Sequence, residues 1–191
     1  MPDAEKTVSD PGDLITVRTI GVDWLSDVYD IDVREHGDIV YHVVDGRLRA
    51  TAEEWNRPAR TRESWDRHIA EWTQMLEAGG CAWGAYNSKH RPVGIVVLRP
   101  HLTDTMAQLA ALFVTHDYRR TGIATRLTQE LIATARTSGA RQLYVSATPS
   151  RSAVGFYHSQ GFTLADRVHP ELFTREPEDI HMILDLYPPT S

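Results

Sequence analysis

Cysteine is almost absent from this chain: Cys81 stands alone among 191 residues, so no disulfide can form within it and a reducing cytoplasm is the expected setting. Embedded in GGCAWGAY, Cys81 reads as a small buried apolar side chain rather than a nucleophile. Long apolar runs are missing too, and none approaches the roughly 18 residues of a membrane helix, so no membrane partner is expected. The opening MPDAEKTVSDPGD is polar and acidic where a signal peptide would be basic and then apolar. The nine histidines are scattered, with no His-Glu-x-x-His pair and no cysteine cluster, so no built-in metal site is expected. A Gly-x-Ser-x-Gly elbow, the Gly-Lys-Ser/Thr ending of a P-loop and the first glycines of a dinucleotide fingerprint are also lacking. Positive charge is in deficit, with 26 acidic against 20 basic side chains and a net charge of −6. That balance disfavours a general nucleic-acid binder, which needs clustered cations.

What is present is enough for one core. With 41% hydrophobic residues, a single domain is expected over 14–187, behind a frayed lead-in at 1–13 and before a short frayed end from Pro188. Leu14 to Ile20 reads as a strand. Val22 to Ile31 reads as a short helix with Trp24, Val28 and Ile31 on one face. Ile39 to Val44 and Arg47 to Thr51 flank Asp45-Gly46, the dipeptide of a type I′ hairpin turn. Ser64 to Ala78 carries Trp65, Ile69, Trp72 and Leu76 at helical spacing, and Gly79-Gly80 stops it; its tryptophans read as core, with a partner surface as the alternative. Cys81 to Tyr86 and Pro92 to Arg99 read as an antiparallel pair. Arg141 to Ala147, Thr163 to Arg167 and Ile180 to Leu186 supply further strands, and no internal repeat is visible.

The densest signal is QLAALFVTHDYRRTGIATRL, Gln108 to Leu127, where an apolar strand breaks into a basic turn and then a helix. Arg119-Arg120-Thr121-Gly122-Ile123-Ala124 fits Gln/Arg-x-x-Gly-x-Gly/Ala. Small residues there let a ligand approach the backbone, and the first helical N–H groups and the positive dipole end favour a pyrophosphate. Arginine adds fork-shaped donors. Further on, Thr148 is placed to cap a helix starting at Pro149, in which Ala153 and Tyr157 share a face and Gly161 ends the run.

These two motifs, with a strand between them, resemble the GNAT superfamily of acyl-CoA-dependent N-acetyltransferases over roughly residues 92–186. The resemblance implies an α/β fold with a mixed, largely antiparallel sheet, a splayed parallel pair at its centre and helices on both faces. It implies acetyl-CoA as acyl donor, its pantetheine arm bonding to main-chain groups of Phe113 and Val114 in the splayed gap and its pyrophosphate held by Arg119 to Thr125, that is Arg119, Arg120, Thr121, Gly122, Ile123, Ala124 and Thr125. Ser150 stands where many relatives place an asparagine near the cofactor. The hairpin at 39–51 lies outside the family's minimal pattern.

By the same resemblance Tyr157 is the candidate general acid, a phenol with an ordinary pKa near 10 placed to protonate the departing thiolate, whose parent thiol has a pKa of about 8.5. The strand glutamate that many members use as base is missing from Gln108-Leu-Ala-Ala-Leu112. A water, or a carboxylate from the acidic stretch Pro170 to Asp179, is left to serve, with Glu171 and Glu178 as candidates. The expected acceptor is a small-molecule primary amine of cationic character, drawn by Asp23, Asp27, Asp30, Asp32 and Glu35 and by the late acidic loop. A protein N-terminus or lysine as acceptor, a non-catalytic acyl-CoA sensor and a homodimer all stay open.

Overall fold

In the computed structural model, residues 13–187 are described. Residues 1–12 of the lead-in expected at 1–13 and the tail from Pro188 lie outside them. Asp13, expected to fray, is instead tied down: its carboxylate accepts the Ser88 N–H at 3.1 Å and the Tyr118 hydroxyl at 2.9 Å.

The main sheet is built from β1 (Thr16–Ile20), β4 (Cys81–Tyr86), β5 (Pro92–Arg99), β6 (Met106–Val114), β7 (Gln142–Ala147), β9 (Ile180–Asp185) and β8 (Thr163–Leu164), in that spatial order. Every pairing is antiparallel except β6 with β7. This is the fold expected from the motifs. The final strand of the Thr163–Arg167 segment is shorter than expected, because only Thr163 and Leu164 pair with β9.

One residue in β6 decides the shape of the site. Val97 pairs with Ala111 and Leu98 with Leu109, so Ala110 is an extra residue, a bulge. The bulge flips the side-chain parity of the strand: Ala107 and Leu109 face one core and Ala111 the other. It also ends the contact with β7, which pairs with β6 only from Met106 to Gln108. Beyond that point the two parallel strands part.

The sheet separates two cores. On one face lie α2 (Ile123–Thr137), through Ile123, Leu127 and Leu131, and α3 (Arg151–Ser159), through Val154 and Tyr157. On the other lies α1 (Arg62–Glu77), whose Trp65 and Trp72 are each 2% exposed and pack on Phe113 of β6. The expected core role of these tryptophans holds. Trp65 meets Trp72 and Phe113 at ring centroids of 6.3 and 5.3 Å. Trp65→Ala is therefore expected to destabilise the fold by roughly 3–5 kcal/mol, read as a lower urea midpoint at unchanged slope.

The Val22–Asp30 segment is helical but of the 3₁₀ type. Its buried residues Leu25, Val28 and Ile31 recur every third position, which is the 3₁₀ period. Trp24, expected on the buried face, is 47% exposed and lies under the Arg18 guanidinium at 4.2 Å. A shift of period from 3.6 to 3.0 rotates it off the core.

The hairpin is longer than expected, pairing β2 (Glu35–Val44) with β3 (Arg47–Arg57) as a separate sheet. Asp45 and Gly46 both have positive φ, as a type I′ turn requires. β2 docks on the loop before α3: the Tyr41 N–H donates to Pro149 O at 2.8 Å, and Val40 bridges Ser150. The segment before β2 is stitched to the end of β6, where the His116 N–H donates to Asp32 O at 2.8 Å. The hairpin thereby walls one end of the splayed gap.

Candidate active site

The gap between β6 and β7 is the floor of a cleft of about 970 Å³. Thr115 donates its N–H to Val93 O, opposite it on β5. Antiparallel alternation then commits the main chain of Phe113 to Ile95 and turns that of Leu112 and Val114 toward the gap. Of the two residues expected to present backbone groups, Val114 does so, and Leu112 takes the place of Phe113. The Phe113 side chain lines the cleft from the α1 side.

The basic turn closes one end. Gly122 has φ +86° and Arg120 φ +62°. The first helical bond of α2 runs from the Arg126 N–H to Gly122 O, which leaves the N–H groups of Ile123, Ala124 and Thr125 without a helical acceptor. Space lies open above them, since a side chain begun at Gly122 would meet nothing within 4 Å. Arg120, Ala124 and Thr125 line the cleft here. Thr121 does not; its hydroxyl donates to Tyr118 O at 2.6 Å and closes the turn. Arg119 also borders the cleft, but its guanidinium is committed to the protein: Nε donates to Val114 O at 3.4 Å, Nη2 to Val33 O at 3.3 Å, and Nη1 lies 3.4 Å from Glu35. It acts as a strap between β6 and the segment leading into the hairpin.

Tyr157, on α3, borders the cleft and is 6% exposed. Burial, and secondarily the charge of Asp179, push its phenol above the ordinary range, so it is protonated at neutral pH. Asp179, just before β9, faces the same space. Burial, with the charge of Glu176 adding to it, raises its carboxyl to about 6. Two titratable groups thus share one space, a phenol held protonated and a carboxyl raised to about 6.

The other base candidates sit elsewhere. Glu171, in α4 (Pro170–Arg175), is turned to Arg99 at 2.7 Å, which holds its carboxyl below the usual range. Glu178 is exposed and does not border the cleft. The acidic stretch, expected as a loop, contains a helix. Its short helix, with Pro170 at the first turn, points Glu171 outward and lets Glu176 and Asp179 reach in. Ser150 is likewise engaged: it, and not Thr148, caps α3, accepting the Ala153 N–H at 3.2 Å. Ser152 lines the cleft instead and donates to Glu35. Asp23, Asp27, Asp30 and Asp32 do not border the cleft; Asp27 accepts the Tyr86 hydroxyl at 2.7 Å and Asp32 pairs with Arg34 at 2.9 Å. Cys81 lies away from the cleft, half-buried against the core.

Ser146 and His181 were not singled out in the sequence. Ser146 lines the cleft and lies 3.4 Å from His181 Nδ1, while Nε2 lies 3.2 Å from Glu176 O. Burial lowers the pKa of this imidazole, favouring the neutral ring. A carbonyl can only accept, so Nε2 carries the proton and Nδ1 accepts from Ser146.

Comparison with known proteins agrees with this geometry. The family model described as Acetyltransferase (GNAT) domain matches residues 49–182. Human (Homo sapiens) N-acetyltransferase 8 is 36% identical over 93 residues, 46% of this chain and 40% of that protein, so the match spans less than half of the relative's length. Among solved structures, a nourseothricin acetyltransferase is similar with a TM-score of 0.71 at 17% identity, covering 91% of this chain and 99% of its own. The PaiA N-acetyltransferase from Thermoplasma acidophilum, in complex with coenzyme A, gives 0.57 at 15% identity, covering 90% and 99%. The two structures are alike in fold.

Proposed function

The chain belongs to the GNAT acetyltransferase family, and on that premise we propose that it transfers the acetyl group of acetyl-CoA directly to a primary amine of a small molecule. The observation that carries this reading is a single cleft joining an open helix N-terminus to a protonated phenol and a carboxylate that ionises near pH 6. The free N–H groups at Ile123 to Thr125 suit a pyrophosphate, with Arg120 adding charge. The main chain of Leu112 and the Val114 N–H, turned toward the gap, suit the amides of a pantetheine arm, a ligand added as a strand, while the Val114 carbonyl is taken by Arg119. A related fold, the PaiA enzyme, was solved with coenzyme A.

The chemistry then needs proton transfers at both substrates. An alkylammonium, with a pKa near 10.4, must lose a proton before its nitrogen attacks the thioester carbonyl. Asp179 is the carboxylate for that step, directly or through a water. The tetrahedral intermediate collapses with loss of the coenzyme A thiolate, which takes a proton from the Tyr157 hydroxyl, while the nitrogen gives up its second proton, directly or through a water, to restore the phenol and leave the neutral amide. Direct attack is favoured over an acyl-enzyme because Cys81 does not border the cleft, and holding both substrates together supplies much of the acceleration.

The test is thiol release from acetyl-CoA against a panel of amines, alongside thermal melts with acetyl-CoA. Ligand binding to the folded state alone should raise the melting temperature as its concentration passes the dissociation constant. An unshifted melt at millimolar acetyl-CoA with no thiol release would overturn the reading. Gly122→Val should abolish the shift, because valine resists φ +86° and its side chain would occupy the open space above the helix N-terminus. Its melt without ligand reports the backbone strain separately.

A further inference from the structure

Over Phe113, on the border of the cleft, stands a guanidinium without a counter-charge. Arg60 borders the cleft just before α1, and among the described residues no carboxylate lies within ion-pair distance of it. Its Nη1 donates to Ser64 Oγ at 3.0 Å, while its Nε is enclosed with no partner. The group lies 5.3 Å from the ring centroids of both Trp65 and Phe113, so it is fixed by stacking. Burial and the positive charges of Arg57 and Arg67 lower its pKa, which means that its neighbours add to its cost instead of relieving it. Arg57 also lines the cleft. It is 3.8 Å from Glu35, a carboxylate already shared with Arg119. His68 beside them has its pKa lowered by burial and by Arg60, and its ring stacks on Trp72 at 5.3 Å and 21°.

A half-buried cation held in place by aromatic rings, with Ser64 Oγ as the acceptor of its one side-chain hydrogen bond and with its side chain bordering the cleft, has the character of an anion site. The cleft lining therefore carries both signs of charge: Glu176 and Asp179, the latter near enough to Arg57 to feel its charge, and Arg60, while Glu35 is shared by Arg57 and Arg119. We propose that the acceptor carries an oxyanion group, a carboxylate or a phosphate, on the same small molecule as its amine, and that Arg60, supported by Arg57, holds that group. This rests on the acetyltransferase reading and specifies its substrate class: an amino acid-like amine, oriented by its anionic end so that the ammonium lies toward Asp179. A simple polyamine leaves Arg60 uncompensated.

The experiment compares matched amines, an aminocarboxylic acid, its carboxamide and the corresponding aminoalkylphosphonate, across a range of side chains. In the wild type, kcat/KM for the better of the two anions should exceed that for the neutral carboxamide by roughly 10- to 100-fold, the worth of one charge-assisted pair of hydrogen bonds. The preferred anion identifies the group as carboxylate or phosphate. In Arg60→Met, which keeps the stem that packs on Trp65, that ratio should fall to near one through KM. Arg60→Lys, keeping charge but losing the fork, should restore part of it. Unliganded melts verify that the variants fold. A ratio near one in the wild type, or a preference that survives Arg60→Met, overturns the proposal while leaving acetyl transfer standing. Calorimetry of the same three compounds on protein loaded with coenzyme A separates the two failures. Arg60-dependent binding of the anions without thiol release sinks acetyl transfer and keeps the anion site; absence of such binding sinks the anion site.

Discussion

Tyr157→Phe is expected to reduce turnover by roughly 10²- to 10⁴-fold, the usual contribution of a general acid, with acetyl-CoA affinity nearly unchanged. The prediction rests on where the two parts of this side chain sit. The ring belongs to the core, edge-on to Phe156 and Phe162 at centroid distances of 5.3 and 5.4 Å, and phenylalanine keeps every one of those contacts. Only burial and the charge of Asp179 act on the hydroxyl, with no hydrogen bond from a described residue among the causes of its raised pKa, and the side chain borders the cleft. Removing it leaves no buried group unpaired, so stability should change little. Burial and Asp179 both raise the phenol's pKa, which keeps it protonated until the step but makes it a weaker acid, so transfer to a thiolate whose parent thiol has a pKa of about 8.5 is uphill and proceeds only with the two in contact as the thiolate departs. Single-turnover measurements with saturating acetyl-CoA isolate the chemical step. Wild-type rates in that regime would leave Tyr157 as a packing residue, and thiolate would then depart unprotonated into water.

How much of this was legible in the sequence followed the range of the interactions involved. Asp45-Gly46 announced its turn because positive φ is a local demand that few residues meet. The α2 turn was legible for the same reason, with Gly122 at its left-handed position. Arg119 was legible as a member of the turn but not in its role, because its partners Val33 and Glu35 come from a segment more than 80 residues earlier. The cap of α3 slipped from Thr148 to Ser150, two hydroxyl residues separated by one proline, between which composition does not discriminate. Within the acidic run, Glu171, Glu176, Glu178 and Asp179 are alike in sequence. Only the six-residue helix and the start of β9 decide that Glu171 meets Arg99 outside and Asp179 turns in. Arg60 gave no sequence signal at all: an arginine before a helix is ordinary until the fold places two aromatic rings against it and no carboxylate beside it.

Asp179→Asn should separate catalysis from stability in opposite directions. If Asp179 takes the amine proton, the wild-type rate at low amine concentration rises with pH as the carboxyl ionises around pH 6 and then levels before other groups titrate. Asparagine cannot accept that proton, so kcat/KM should fall by roughly 10²-fold or more and the limb near pH 6 should vanish. Stability should move the other way. The folded state holds the Asp179 proton more tightly than the unfolded chain does, since burial raises the carboxyl from the ordinary aspartate range to about 6. Folding is therefore favoured most below the unfolded pKa, and this contribution is lost as pH rises through the window up to about 6. Above it the wild type carries a partly buried charge beside Glu176 that the variant lacks, so Asp179→Asn should melt higher than wild type at pH 7 and the difference should shrink toward pH 4. A residue retained for packing loses stability when replaced; a carboxylate retained for proton transfer gains it and loses rate. If the limb near pH 6 persists in Asp179→Asn, the base is another group in the cleft, and Glu176 and Glu35 are the carboxylates that border it.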